Sequence, residues 1–247
     1  MAKCELAKAD YGIDAPLVVQ KHNLLGAISL LAGLGIHRLL VPVLPVAGKV
    51  MWMVAFLFAF CFFVSALLLL WSSKFGKLRQ RERLIDALEL VGNEKVLDVG
   101  CGRGLLLNGV ARRLSRGRAF GVDLWQSIDQ SGNSPEAALA NAKAENVADR
   151  VEVKTADMRD LPYSDEYMDA VVSSIAIHNV PDEAGRARAI KEIARVLKPG
   201  GRIAIQDLRA TDEYVKILKD LAWREVKLSR LNFLIFPPVR MVTGRKP

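Results

Sequence analysis

The chain has 247 residues, 51% of them hydrophobic and 25% charged, with a net charge of +8. Its basic residues are spread along the chain without interleaved aromatics, so the charge points to a membrane surface rather than to nucleic acid. Cys4, Cys61 and Cys101 lie far apart, which indicates neither a disulfide framework nor a metal cluster and fits a reducing cytoplasm.

Residues 1–22 form a polar N-terminal segment, and the apolar stretches after it are too long and too late for a cleavable signal peptide. Residues 23–71 read as a membrane anchor in the form of a helical hairpin. Val50 to Trp71 is 22 residues without a charge. At 1.5 Å rise per residue it covers about 33 Å, enough to cross a hydrocarbon core. Asn23 to Ala47 is less regular, with His37 and Arg38 near its middle and Pro42 and Pro45 interrupting it, so it either spans or lies re-entrant at the interface. One or two N-terminal transmembrane helices are therefore expected. Residues 72–83 carry five basic residues and one acid, read as a juxtamembrane linker. By the positive-inside rule this collar puts the following domain, 84–247, in the cytoplasm, held to membrane lipids as an integral membrane protein. If both segments span, Lys3, Lys8 and Lys21 are cytoplasmic too. A chain starting near Ser73 is expected to be soluble and to retain cofactor binding.

Within 84–247 the informative stretch is Val96 to Gly104, an apolar strand ending in Asp98 and three glycines at alternate positions, Gly100, Gly102 and Gly104, with Cys101 between the first two. The glycines allow a tight turn and a close backbone approach to a ligand, and Leu105, Leu106, Leu107 and Val110 continue as the buried face of a helix. A dinucleotide fingerprint would place the third glycine one residue later, which disfavours a nicotinamide-dependent oxidoreductase, and an acid beside the loop suits a cationic ligand. Ala119 to Asp123 is a second strand, followed by Leu124. Its terminal Asp123, about 20 residues after the loop, sits where a carboxylate accepts both ribose hydroxyls. Trp125 to Pro135 is a polar loop, read either as a cover carrying Asp129 and Asn133 or as ordinary surface, and Ser134-Pro135-Glu136 starts a helix with Ser as cap. Val151 to Lys154 is a third strand and Asp169 to Ser174 a fourth. His178, just after it, is either a general base or an imidazole that packs against the cofactor or caps the loop. Ala184 to Leu197 is helical, and Lys198 to Ile205 forms a turn and fifth strand. Trp223 to Leu228 and Val239 to Thr243 complete the set, with Phe233 to Pro238 between them a possible wall for an acceptor. Strands alternating with helical stretches imply a doubly wound parallel α/β sheet with ligands at the carboxyl ends of the strands, where Asp98, Gly100, Asp123, Asp157 and Ser174 fall.

In the order of these motifs the chain resembles the class I S-adenosylmethionine-dependent methyltransferases over roughly Arg79 to Pro247. The resemblance implies a Rossmann-like fold whose last strand runs antiparallel, S-adenosyl-L-methionine as cofactor, and an adenine-contacting segment at Ala156-Asp157-Met158, the acid taking the exocyclic amine. Relatives that methylate bases or glutamine amides carry Asn or Asp, two prolines and an aromatic after the fourth strand. This chain has Ser174-Ile175-Ala176-Ile177 there, which leaves a small-molecule or lipid acceptor. The alternative is a noncatalytic S-adenosylmethionine-binding or membrane assembly protein on the same fold.

Overall fold

The computed structural model describes residues 9–247, so Lys3, Cys4 and Lys8 lie outside the described residues. Pro16 and Pro45 each stand in the first turn of a helix, where a missing N–H leaves nothing unsatisfied: α1 (Pro16–Leu39) and α2 (Pro45–Trp71). The two form a hairpin, and glycines thin its seam: a Cβ on Gly33 would stand 3.3 Å from the Ala55 Cβ, and one on Gly26 3.0 Å from the Phe63 ring. Their outward residues stay uncovered, with Leu31 68% and Phe60 61% exposed. Both helices are long and apolar enough to cross a membrane by length and composition. The observed boundaries move the charges. Because α1 runs from Pro16 rather than Asn23, His37 and Arg38 fall in its last turn instead of the middle of a span, and Lys49 stands near the start of α2 at the same end of the hairpin.

The segment 72–83 is a helix, not a linker. From α2 the chain passes through a π-helical turn at Ser72–Gly76 into α3 (Lys77–Asp86), giving one rod of 42 residues from Pro45 to Asp86. Its inner face is polar yet buried: Ser72, Ser73, Lys77, Gln80 and Arg81 are all shielded from solvent. Hydrogen bonds make that burial tolerable. Ser73 Oγ accepts from the Asp14 N–H at 3.1 Å, and Gln80 Oε1 accepts from Asn232 Nδ2 at 2.7 Å. A boundary at residue 84 therefore cuts a helix that belongs to the globular domain, since Leu84, Ile85 and Leu88 lie in its core.

Seven strands follow: β1 (Lys95–Val99), β2 (Arg118–Asp123), β3 (Val151–Thr155), β4 (Met168–Ser174), β5 (Leu197–Asp207), β6 (Arg224–Leu228) and β7 (Arg240–Arg245). They form one sheet in the order β3-β2-β1-β4-β5-β7-β6. β7 pairs antiparallel with both β5 and β6, and the pairs among β1 to β5 are parallel. The helices between strands are α4 (Leu105–Arg113), α5 (Pro135–Ala144), α6 (Glu183–Val196) and α7 (Thr211–Asp220). Ser134 caps α5 by accepting the Ala137 N–H at 3.1 Å.

Side-chain alternation along each strand builds two cores. Leu97, Phe120, Val171, Ile203 and Ile205 face Ile190 and Ile193 of α6 and Leu218 of α7. Val96, Ala119, Ala170 and Ala204 face α3 and α4 through Leu84, Leu107 and Val110. Each fully buried Leu or Ile contributes about 1.5–3 kcal/mol, so this two-sided burial supplies the main drive for the sheet. The ligand side is thereby fixed at the carboxyl ends of β1, β2 and β4, flanking the point where chain order reverses.

Candidate active site

At the end of β1 the chain must turn sharply into α4, and Gly100, Gly102 and Gly104 do so at φ values of 74°, 50° and 82°. These are left-handed conformations that favour glycine. A Cβ on Gly100 would collide with that of Ala176, and one on Gly102 would stand 2.6 Å from Gln130 Oε1. The turn borders a cavity of about 380 Å³, within the usual range for small-ligand pockets, roughly 300–1,000 Å³.

Of the residues the sequence singles out, Asp98, Gly100, Cys101, Gly102, Asp123, Leu124, Ala156, Asp157, Met158 and Ser174 line this cavity. Gly104 does not. It is buried as the left-handed N-cap of α4, with Asn108 beside it. His178 is not a lining residue either, although Asn179 and Val180 from the same turn are. Its Nδ1 lies 2.5 Å from Oδ1 of the fully buried Asp207, and its backbone N–H donates to Asp207 Oδ2 at 3.0 Å. Tyr214 also donates to that oxygen, at 3.1 Å. Phe233 to Pro238 contributes nothing to the cavity wall, because this stretch packs against the rod and the hairpin base instead.

Asp98 is 2% exposed. Its Oδ2 accepts the Leu107 N–H at 2.9 Å, while Oδ1 is buried without a partner among the described residues. Burial, reinforced by the nearby Asp123 charge, pushes its pKa up to about 8. Asp123 Oδ2 accepts from the Gly102 N–H at 2.8 Å, and Oδ1 accepts from the Trp125 N–H at 2.6 Å and from Asn133 Nδ2 at 3.3 Å, which orients the carboxylate and leaves Oδ2 the freer oxygen. Asp157 forms a forked pair with Arg159, 2.6 Å at the closest, and the guanidinium holds its carboxyl below the ordinary range. These groups fit a nucleoside with a cationic centre: a diol acceptor at the β2 end, an unsatisfied buried carboxyl at the β1 end, and glycines between them.

What sequence reading misses is the segment just before α1. Asp14 and Lys77 both line the cavity, and Lys77 Nζ donates to Tyr11 O at 2.7 Å, Gly12 O at 3.1 Å and Asp14 Oδ1 at 2.9 Å. Gln130, from the 125–135 loop, accepts the Arg103 N–H at 2.8 Å and donates to Tyr11 O at 3.1 Å. The Ala15 N–H donates to Asp129 O at 2.9 Å and the Ser131 N–H to Ile13 O at 3.0 Å. Residues 10–15 and 126–132 thus form a two-ply cover stitched to the glycine turn, with Gln126, Asp129, Gln130 and Asn133 facing the cavity. No periodicity marks it, since the contacts join residues more than a hundred positions apart.

Residues 97–205 match the family model described as a methyltransferase domain. Among curated proteins the chain is similar to methyltransferase GfsG of Streptomyces halstedii, 35% identical over 130 residues that cover 53% of this chain and 43% of the relative. It is likewise similar to the ubiquinone/menaquinone biosynthesis C-methyltransferase UbiE of Geotalea daltonii, 32% identical over 51% of this chain and 50% of the relative. The chain spans about half the length of these relatives or less. Among solved structures, geranyl diphosphate C-methyltransferase from Streptomyces coelicolor, in complex with S-adenosyl-L-homocysteine, aligns over 68% of this chain and 76% of its own with a TM-score of 0.56 and 17% identity. The likeness establishes the fold: the mixed seven-stranded sheet is that of the Rossmann-like methyltransferases.

Proposed function

We propose that this chain is a membrane-anchored methyltransferase that moves the methyl group of S-adenosylmethionine to a small or lipophilic acceptor. One observation carries the reading: the glycine turn, the unpartnered Asp98 oxygen and the oriented Asp123 carboxylate converge on one cavity inside the stretch that matches the methyltransferase family. When bound, S-adenosylmethionine supplies an already activated sulfonium methyl. The protein's part is then to align and to exclude water. Asp123 accepts the ribose hydroxyls, Asp157 and Met158 flank the adenine, and Asp98 faces the cationic end. The two-ply cover of residues 10–15 and 126–132 closes the site against solvent. Where the acceptor must lose a proton, the candidate to take it is His178, which lies beside Asp207 on the turn whose Asn179 and Val180 line the cavity.

The ubiquinone/menaquinone biosynthesis C-methyltransferase among the relatives supports a small and largely apolar acceptor. The uncovered α1–α2 hairpin supports a bilayer location, and the basic residues after it support a cytoplasmic domain. The test is to incubate membranes holding the full chain with methyl-labelled S-adenosylmethionine. Label should enter the lipid-extractable fraction. Binding without transfer to any acceptor would leave a noncatalytic cofactor-binding protein, and no binding would overturn the reading. The full chain should also resist salt and carbonate extraction, and release by salt alone would reduce the hairpin to a peripheral element.

A further inference from the structure

The connection between β6 and β7 lies against the rod where the apolar span stops. The Leu234 carbonyl seats directly on Gly76, where any side chain would collide. The Phe236 N–H donates to Ser72 Oγ at 3.0 Å, and Asn232 Nδ2 donates to Gln80 Oε1 at 2.7 Å. Ser72, Gly76 and Gln80 are four residues apart, so the connection runs along one face of the helix. Phe236 also packs against Val19, Ala66 and Leu69 at the base of the hairpin. The loop between the edge strand β6 and its neighbour β7 is thereby carried to the level of the membrane boundary.

Its outer side is apolar and cationic together. Phe233 is 71% exposed and Leu231 54%, and Phe75 on the rod is 62% exposed. Arg83 and Arg230 border a groove with Gln80, Ser229 and Asn232. Lys74, Arg79, Arg83 and Arg230 are exposed, and none has an ion-pair partner among the described residues. Glu82, the acid within this stretch of the rod, is held by Arg81 and Arg113 at 2.9 Å each. Exposed aromatics beside unneutralised cations suit one environment: the headgroup layer of an anionic leaflet, which accepts the rings and compensates the charges.

We infer that this patch is a second membrane contact, with Leu231 and Phe233 entering the interfacial layer and an anionic phospholipid headgroup seated between Arg83 and Arg230. The inference rests on the reading that α1–α2 lies in the bilayer. It assigns the β6–β7 connection to lipid rather than to the methyl acceptor.

The experiment uses the full chain in vesicles, with an environment-sensitive NBD label on a Phe233→Cys variant carrying Cys4→Ser and Cys61→Ser. A parallel sample carries the label on native Cys61, which is exposed on α2. In phosphatidylglycerol-containing vesicles the label at 233 should emit blue-shifted and be quenched by spin-labelled lipid. In pure phosphatidylcholine, or with Arg83→Glu and Arg230→Glu added, that shift should be lost by half or more while the Cys61 label remains in an apolar environment. Water-like emission at 233 with apolar emission at Cys61 overturns the inference and leaves the hairpin reading intact. Water-like emission at both overturns the hairpin reading itself. An equal shift in neutral and anionic vesicles overturns the headgroup assignment, and a shift that follows protein concentration rather than lipid charge assigns the patch to a second copy of the chain.

Discussion

Lys77 Nζ lies 2.9 Å from Asp14 Oδ1, joining the residues that flank the two ends of the apolar hairpin at the wall of the ligand cavity. The ammonium is nearly buried and its three donors meet three acceptors, so the clasp is fully satisfied. Removing one side of such an arrangement leaves unpaired groups and costs about 2–3 kcal/mol. A chain starting near Ser73 lacks residues 10–15, and it should bind S-adenosylmethionine at least about tenfold more weakly than the full chain, since about 1.4 kcal/mol is a factor of ten. Lys77→Ala in the full chain should weaken it in the same direction. Calorimetry on both decides, and equal affinity would mean that the segment only rests on the site.

Asp98 couples the site to pH. Its proton leaves the folded protein near pH 8 but the unfolded chain near the ordinary value of 3.8. Between those values the folded state binds the extra proton, so stability falls as pH rises from about 4 to 8 and levels off above. A cationic ligand favours the carboxylate, so its binding below pH 8 expels a proton. Affinity should climb by up to about tenfold per pH unit toward 8 and then flatten. Titration calorimetry in buffers of different ionisation enthalpy reads the proton directly. Asp98→Asn should raise the melting temperature above pH 8 and abolish the pH dependence of binding; a profile unchanged by that substitution would remove Asp98 from the cationic end.

Asp123→Ala removes the acceptor for the Gly102 and Trp125 N–H groups and for Asn133 Nδ2 and, on the proposed reading, for the ribose hydroxyls. Cofactor affinity should drop by roughly 1.5–3 kcal/mol with the fold retained by circular dichroism. Gly102→Val meets both the positive φ and Gln130 Oε1, and it should abolish binding. Retention of binding in both variants would reduce the turn to a structural corner.

His178 and Asp207 separate chemistry from packing. A base role predicts a turnover loss of about 100-fold in His178→Ala at nearly constant cofactor affinity, since general-base assistance contributes roughly 10²–10⁴. Asp207→Asn should move turnover the same way and shift the pH–rate profile with it. If turnover falls only in step with affinity, the ring caps the turn after β4 and nothing more.

The strands, the glycine turn and the apolar spans were legible because each is written in local pattern: period-two burial, left-handed glycines, uninterrupted apolar length. Ten of the twelve residues selected from sequence line the cavity, while Gly104 turns the chain and His178 faces Asp207. The rest rests on contacts that leave no local mark. Ser72, Lys77 and Gln80 read as a solvated linker because polar residues usually are, and only Asp14, Asn232 and Phe236, distant in sequence, make their burial tolerable. Pro42 and Pro45 read as an interruption of one span, whereas they mark the tip between two helices, and the start of α1 at Pro16 falls inside the stretch that reads as a polar N-terminal segment.

The continuous rod from Pro45 to Asp86 would set a mechanical condition on the proposed methyl transfer. A domain on a flexible tether would sample many heights and tilts above a bilayer. Here the last turns of the apolar helix and the first turns of the domain are one shaft, so with the hairpin in a bilayer, as proposed, the cavity mouth would keep a fixed elevation and bearing relative to the lipid. Acceptors would then be selected by depth: a group is reached only if its own apolar anchor presents it at that elevation, and inserting four residues after Trp71, just over one helical turn, would add about 6 Å of shaft that the clasp of Lys77 to Asp14 must oppose.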